Sequence, residues 1–317
     1  MTGDRREQKW VGVSLSVATY VAALAAALAA GWAASGIDAG PVVHALVVVA
    51  VADLAATAVV FAASVLADNS SVYDPYWSLQ PAAIAGYYIW LATSASSLDL
   101  RGALVTALVV LYCVRLTSNF YRDWPGLTKE DFRYVGFRRR FGRLYWPVSF
   151  FGIHLFPTVM VYLGCLPLYA AIAAPVAPFG WLDVVAAVVT LGAVLLAFAA
   201  DEQLRRFRRD QRNAGLPIED GLWSRSRHPN YLGEVSTWWG LYLFALAAGW
   251  EWWWTGLGAT AITLLFVFVS VPMMERRALA TRLGYAEYMA GTSRLLPLGS
   301  RRGSCEESSA SAAGLER

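Results

Sequence analysis

The sequence predicts an all-α, polytopic membrane protein: a bundle of about eight transmembrane helices with the N- and C-termini both cytoplasmic. Three observations lead there. The chain is 57% hydrophobic and only 15% charged, with a mean hydropathy of +0.44, outside the range of soluble globular domains. Its apolar residues gather in runs close to the ~20 residues that a helix needs to cross a hydrocarbon core. Nearly all its Lys and Arg residues sit between those runs.

The spans fall at about residues 11–33, 42–66, 77–94, 102–119, 147–174, 179–200, 231–250 and 252–274. The first follows the basic start Arg5, Arg6 and Lys9, yet it is too long for the apolar part of a signal peptide and reads as a retained helix. Of the 26 basic residues, three precede the first span, seven lie in 122–143, seven in 205–227 and seven after Met274. An even number of crossings puts all four groups on one side, which the positive-inside rule makes the cytoplasm. The two exceptions are Arg101, expected in a short outer loop, and Arg115, inside the fourth span. The net charge of +3 and pI near 8.8 are thus explained by topology and anionic headgroups, and no nucleic acid partner is implied. Cys113, Cys165 and Cys305 form no ligand spacing, so neither a disulfide nor a metal site is expected.

Between the spans, 121–146 mixes aromatics with both charges and suits an interfacial helix. The segment 201–230 starts as an extension of span six, with Arg205, Arg208 and Arg209 near one face, and breaks at Gly215 and Pro217. After the last span, MMERRALATRLGYAEYMAG reads as one helix ended by Gly291. The chain divides into an extra N-terminal helix (1–40), a membrane domain (41–298) and a polar tail (299–317) expected to be disordered. The row Trp252, Trp253, Trp254 fits the aromatic belt of the outer interface.

A charge inside a bilayer costs at least ~2.5 kcal/mol, so ionisable residues within spans are candidate functional groups. Asp53, Arg115, Asp183 and Glu234 qualify. Asp183 is expected at the interface, and Asp53 is accounted for by a backbone contact or by pairing with Arg115. Glu234 differs, because Arg227, His228, Asn230, Tyr231 and Glu234 crowd the start of span seven in SRHPNYLGEVSTWWG. Asn230 and Glu234 are i and i+4, and Tyr231 and Glu234 are i and i+3, so they share a helix face. The cluster offers donors and acceptors to a polar ligand, or else caps the helix with Arg227 on a lipid phosphate. No Gly-x-Gly-x-x-Gly, Walker A, HExxH or paired CxxC occurs, so any nucleotide would be held by basic loops, where Arg binds phosphate oxygens in pairs.

The stretches GLWSRSRHPNYLGEVSTWWGLYL, PMMERRALATRLGYAEYMAGTSRLLPL, NSSVYDPYW and KEDFRY resemble the DUF1295 family of bacterial membrane proteins over residues 45–298. That family is similar to the C-terminal domain of steroid 5-alpha-reductases, which reduce the C=C bond of an enone with NADPH. The resemblance implies that Asp201, Arg205, Arg208, Asn230 and Glu234 fall on cofactor-site positions, with Arg227, His228 and Tyr231 in the same block. Arg277 falls near a phosphate-binding position, and Tyr285 and Tyr288 keep the aromatic spacing of the final helix. For chemistry it implies Asp74 and Tyr112 as the pair that hydrogen-bonds the carbonyl, with Glu234 beside the reacting end. The competing reading is that Asp74 caps span three and Tyr112 packs.

The implied activity is NADPH-dependent reduction of an enone or other unsaturated lipid, with a lipid-soluble substrate and membrane lipids as partners and the bacterial cytoplasmic membrane as location. Two alternatives stand beside it. Isoprenylcysteine and phospholipid methyltransferases also carry an RHPxYxG block and use S-adenosylmethionine, whose lack of phosphates leaves the Arg-rich 205–227 segment without a task. A non-enzymatic lipid-binding relative is the other. Oligomeric state and substrate identity are not encoded in any motif found.

Overall fold

The computed structural model of the chain describes residues 2–95 and 98–297. Among the described residues every regular element is helical and none is a strand. The α-helices are α1 (Thr2–Ala34), α2 (Pro41–Leu66), α3 (Tyr76–Ala95), α4 (Leu100–Asp123), α5 (Phe132–Phe141), α6 (Tyr145–Ser149), α7 (Phe156–Gly164), α8 (Leu166–Leu168), α9 (Trp181–Arg209), α10 (Pro229–Ala248), α11 (Gly256–Leu265), α12 (Val271–Thr281) and α13 (Tyr285–Gly291). Wider π turns at Phe150–Leu155, Tyr169–Ala173 and Phe266–Ser270 link α6 to α7, follow α8 and join α11 to α12. The tail 299–317, with Cys305, lies outside the described residues.

Six of the eight apolar runs each fall essentially on one α-helix, whereas 147–174 is spread over α6, α7, α8 and two π turns, and 252–274 over a 3-10 segment, α11, a π turn and the start of α12. Six stretches are long and apolar enough to cross a membrane: Lys9–Ala34, Pro41–Leu66, Leu100–Asp123, Phe132–Ala173, Trp181–Arg209 and Trp250–Thr281. Helices α3 and α10 fall outside that set, and both carry polar residues in their first half, Ser78 and Gln80 in one and Glu234 and Thr237 in the other. Helical backbone is what apolar segments of this length must form in lipid, since every N–H and C=O is then satisfied within the segment. Local signals set the ends. Pro41 opens α2, Asp99 caps α4 by accepting from the Gly102 amide at 2.7 Å, and Asp131 caps α5 from the Arg133 amide at 2.9 Å.

The described residues form two compact units, one within 2–187 and 241–261, the other within 188–240 and 262–297. In the first unit α1 packs along α2, and α3 along α4. Tyr73, Tyr76, Tyr134 and Tyr145 surround Val60, Val72 and Ile153 in its core. Two expectations are corrected here. Arg101 is not in a loop: it lies in the first turn of α4, fully buried, and holds Asp183 through Nε to Oδ1 (2.6 Å) and Nη2 to Oδ2 (2.9 Å). It also donates to the carbonyls of Ala177, Pro178 and Ala247. Asp183, in the first turn of α9, is therefore the buried partner of Arg101, because low-dielectric surroundings demand that each charge find its opposite. Asp53 accepts from Tyr76 Oη (3.0 Å) and Gln80 Nε2, not from Arg115.

In the second unit α9 and α10 approach closely through glycine. A Cβ on Gly233 would lie 2.6 Å from the Ala193 carbonyl oxygen, and one on Gly240 2.2 Å from Thr190 Oγ1. Small residues permit this contact where no water-driven force pulls helices together. The expected single helix after the last span is corrected too. It ends at Thr281 and restarts as α13 after Gly284, whose φ of 73° is left-handed and breaks the run. Leu283 N donates to Gly215 O at 2.8 Å across this break.

Candidate functional site

The second unit gathers the largest share of the residues singled out by sequence. The glycine contact sets the register of α10 on α9, so that one turn before Gly233 the Asn230 amide reaches Asp201 (Nδ2 to Oδ1, 3.1 Å). Asn230 Oδ1 accepts from the Tyr231 amide at 3.0 Å, which fixes the orientation of its side chain. Glu234 lies one turn further along α10 and is 8% exposed. Arg205 follows Asp201 on α9 and pairs with Glu202 at 2.5 Å. Tyr231 stacks on His228 (5.3 Å between centroids, 14° between planes) and meets Phe266 of the π turn edge-on at 5.0 Å. Such π turns often mark functional sites in helices, because they displace the residues around them from regular register.

Arg227 and His228 take a different part. Arg227, 8% exposed, donates through Nε to Glu275 Oε1 at 2.8 Å, and through Nη1 to the Met289 and Thr292 carbonyls. His228 Nε2 lies 3.3 Å from the same Glu275 oxygen. The RH pair thus ties the start of α10 to α12 and to the chain around α13, and is not directed at lipid phosphate. Tyr288 completes the tie by donating to the Trp223 carbonyl at 2.6 Å, with Tyr285 edge-on to it at 5.7 Å. Burial pushes both phenols up from the usual tyrosine range, so Tyr288 donates as a neutral phenol. Glu275 was missed by the sequence reading. The available signal was a carboxylate at the end of an apolar span, which is costly unless a cation meets it.

A cleft of about 130 Å³ is lined by Arg208, Asn213, Gly215 and Arg282 among others. Arg208 and Arg277 are exposed, and Arg282 sits 5.9 Å from the Tyr285 ring centre. Sequence reading did not single out Arg282, which follows the last residue of α12 and lines the cleft. Arg208 and Arg282 place two guanidinium groups on the lining of this cleft, a group that binds phosphate oxygens in pairs.

In the first unit Asp74 precedes α3 with its side chain 12% exposed. It accepts a short hydrogen bond from Tyr134 Oη and faces Arg133 Nη2 at 3.7 Å. Burial pushes its carboxyl up to about 6, against the lowering pull of Arg133 and Tyr134. Tyr112, fully buried on α4, has Arg115 at 5.8 Å from its ring centre. The structure therefore gives Asp74 an α5 partner, Tyr134, that the sequence reading had not foreseen. Among the described residues no group of His, Cys, Asp and Glu could hold a metal ion.

Long apolar helices with polar clusters near their ends define the class: a multi-pass helical membrane protein. Within that class the chain belongs to the DUF1295 family, described as proteins of unknown function, whose model matches residues 60–292. It is also similar to an uncharacterized protein of Schizosaccharomyces pombe, 29% identical over 212 residues, which are 60% of this chain and 61% of the relative. The match thus spans under two thirds of that protein's length. No solved structure matches.

Proposed function

We propose that this protein is an NADPH-dependent reductase of the C=C bond of an enone or similarly activated unsaturated lipid, embedded in a bacterial cytoplasmic membrane with both ends cytoplasmic. The observation that carries the reading is the Asp201–Asn230 pair at 3.1 Å, with Arg205 and Arg208 following on α9 and buried Glu234 one turn along α10. A carboxylate and an amide side by side suit hydroxyl and carboxamide groups, and Arg residues further along the helix suit phosphates. Arg208 and Arg282 would hold a phosphate in the cleft they line, with Arg277 exposed nearby in sequence. Arg227, His228, Tyr285 and Tyr288 would serve by positioning the start of α10. NADPH, when bound, supplies the hydride. Asp74, with its carboxyl raised to about 6, stands partly protonated near neutral pH and can donate a hydrogen bond to a carbonyl, while Tyr112 offers a buried phenol for the same task.

The test is a titration of the detergent-solubilised protein with NADPH, NADP+ and S-adenosylmethionine, followed by tryptophan fluorescence. Micromolar NADPH binding, weakened about tenfold or more by Arg208→Ala, is expected. Binding of S-adenosylmethionine alone would replace this reading with a methyltransferase, and binding of none of the three would replace it with a non-enzymatic lipid-binding role.

A further inference from the structure

The first unit contains a polar site that the reductase reading does not use. Asp53 lies at the middle of α2, 8% exposed, and its carboxylate meets only neutral donors among the described residues: Tyr76 Oη at 3.0 Å and Gln80 Nε2. Tyr76 and Gln80 are i and i+4 on α3 and so share a face. The Gln80 amide is oriented without ambiguity, because its nitrogen also donates to the Thr158 carbonyl at 3.1 Å, and both of these neighbours accept. That leaves Gln80 Oε1, on a side chain 4% exposed, with no donor among the described residues. A buried acceptor left unmet costs about 1–3 kcal/mol.

The nearby hydroxyls cannot supply the missing proton. Tyr76 spends its own on Asp53, so Thr57 (3.4 Å away) donates to Tyr76. By the same count Thr158 donates to Thr57 at 3.0 Å, and Tyr73 donates to Thr158 at 2.9 Å. Four hydroxyls in series thus point toward Asp53, and each has one proton, already committed. Pro81 follows Gln80 and brings no N–H to this turn of α3. An unmet acceptor beside a carboxylate, with the protons of the hydroxyl series committed, calls for a ligand that brings a donor. The next residue on α2, Leu54, is 48% exposed, so the helix that carries Asp53 also presents apolar surface one residue away.

We propose that the α3 turn from Trp77 to Pro81, together with Asp53 of α2, binds the hydroxyl end of an apolar alcohol, which donates to Gln80 Oε1. This goes beyond the reductase reading and does not depend on it. The probe pair is tetradecanol and its methyl ether, equal in apolar surface but different in having a donor. Competition against a tritiated alcohol on the detergent-solubilised protein should show the alcohol bound about tenfold more tightly than the ether, with Gln80→Leu bringing the ratio near one. A photoactivatable tetradecanol should label peptides from α2 or α3. Equal affinity for alcohol and ether, a preference that survives Gln80→Leu, or labelling confined to other helices would each overturn the proposal. The labelling arm uses the unaltered protein and so decides the matter even if Gln80→Leu does not fold. NADPH binding is read in neither arm, which keeps failure of the two readings distinguishable.

Discussion

Replacing Arg101 by Met tests the buried clamp of the first unit. The guanidinium makes five hydrogen bonds, two to Asp183 and one each to the carbonyls of Ala177, Pro178 and Ala247. Methionine fills much of the volume and supplies none of them. Among the described residues the Asp183 carboxylate, fully buried, then keeps only the Gly180 amide at 2.8 Å. Breaking a buried pair from one side costs about 3–5 kcal/mol, because a charge is left uncompensated in low dielectric. At about 2 °C or more per kcal/mol for a chain of this size, the thermal midpoint in detergent should fall by at least about 6 °C. Adding Asp183→Leu removes the stranded charge, and the double variant should regain about half of the loss or more. A fall below about 2 °C in the single variant, or a double variant no more stable than the single, would refute this account of the pair. Followed by intrinsic fluorescence on heating, the three proteins are directly comparable.

Three further outcomes follow from the same geometry. Gly233→Ala should destabilise by about 1–3 kcal/mol, since its Cβ meets the Ala193 backbone, whereas Gly86→Ala, with nothing within 4 Å, should be neutral or slightly stabilising; equal midpoints would refute the close approach of α9 and α10. Asp74 has a folded-state pKa of about 6 against an ordinary value near 3.8, so the proton is held more tightly in the folded form. The stability it contributes is full below about pH 4, declines as pH rises to about 6 and is level above, a total of about 3 kcal/mol. Asp74→Asn should therefore gain on the natural protein as pH rises from 4.5 to 7, and a midpoint difference independent of pH would count against it. Glu275→Gln loosens Arg227 and with it the segment after Thr281, so limited trypsin digestion should cut at Arg282 or Arg294 several-fold faster than in the natural protein; an unchanged rate would show that the tie does not hold α13.

The helical class and the positions of the apolar runs were legible in the sequence, because a bilayer filters for length and composition and both are local properties. Legible too was the crowding of Arg227, His228, Asn230, Tyr231 and Glu234, since i, i+3 and i+4 spacing on one helix is a local matter. What tertiary structure decided was the partner of each polar group. Arg101 and Asp183 are 82 residues apart, and Arg227 and Glu275 48, so nothing in either neighbourhood names the other. That is why the block around His228 reads as one ligand-facing cluster in sequence, yet divides in space into Asn230 with Asp201 on one side and a buried structural tie on the other. It is also why Asp53, expected to meet the backbone or Arg115, is met by Tyr76 and Gln80 from α3. A buried charge or amide requires some partner, and that requirement is visible in the chain. Which residue meets it depends on helix register, and register is set by contacts such as Gly233 against Ala193 that only the packed helices reveal.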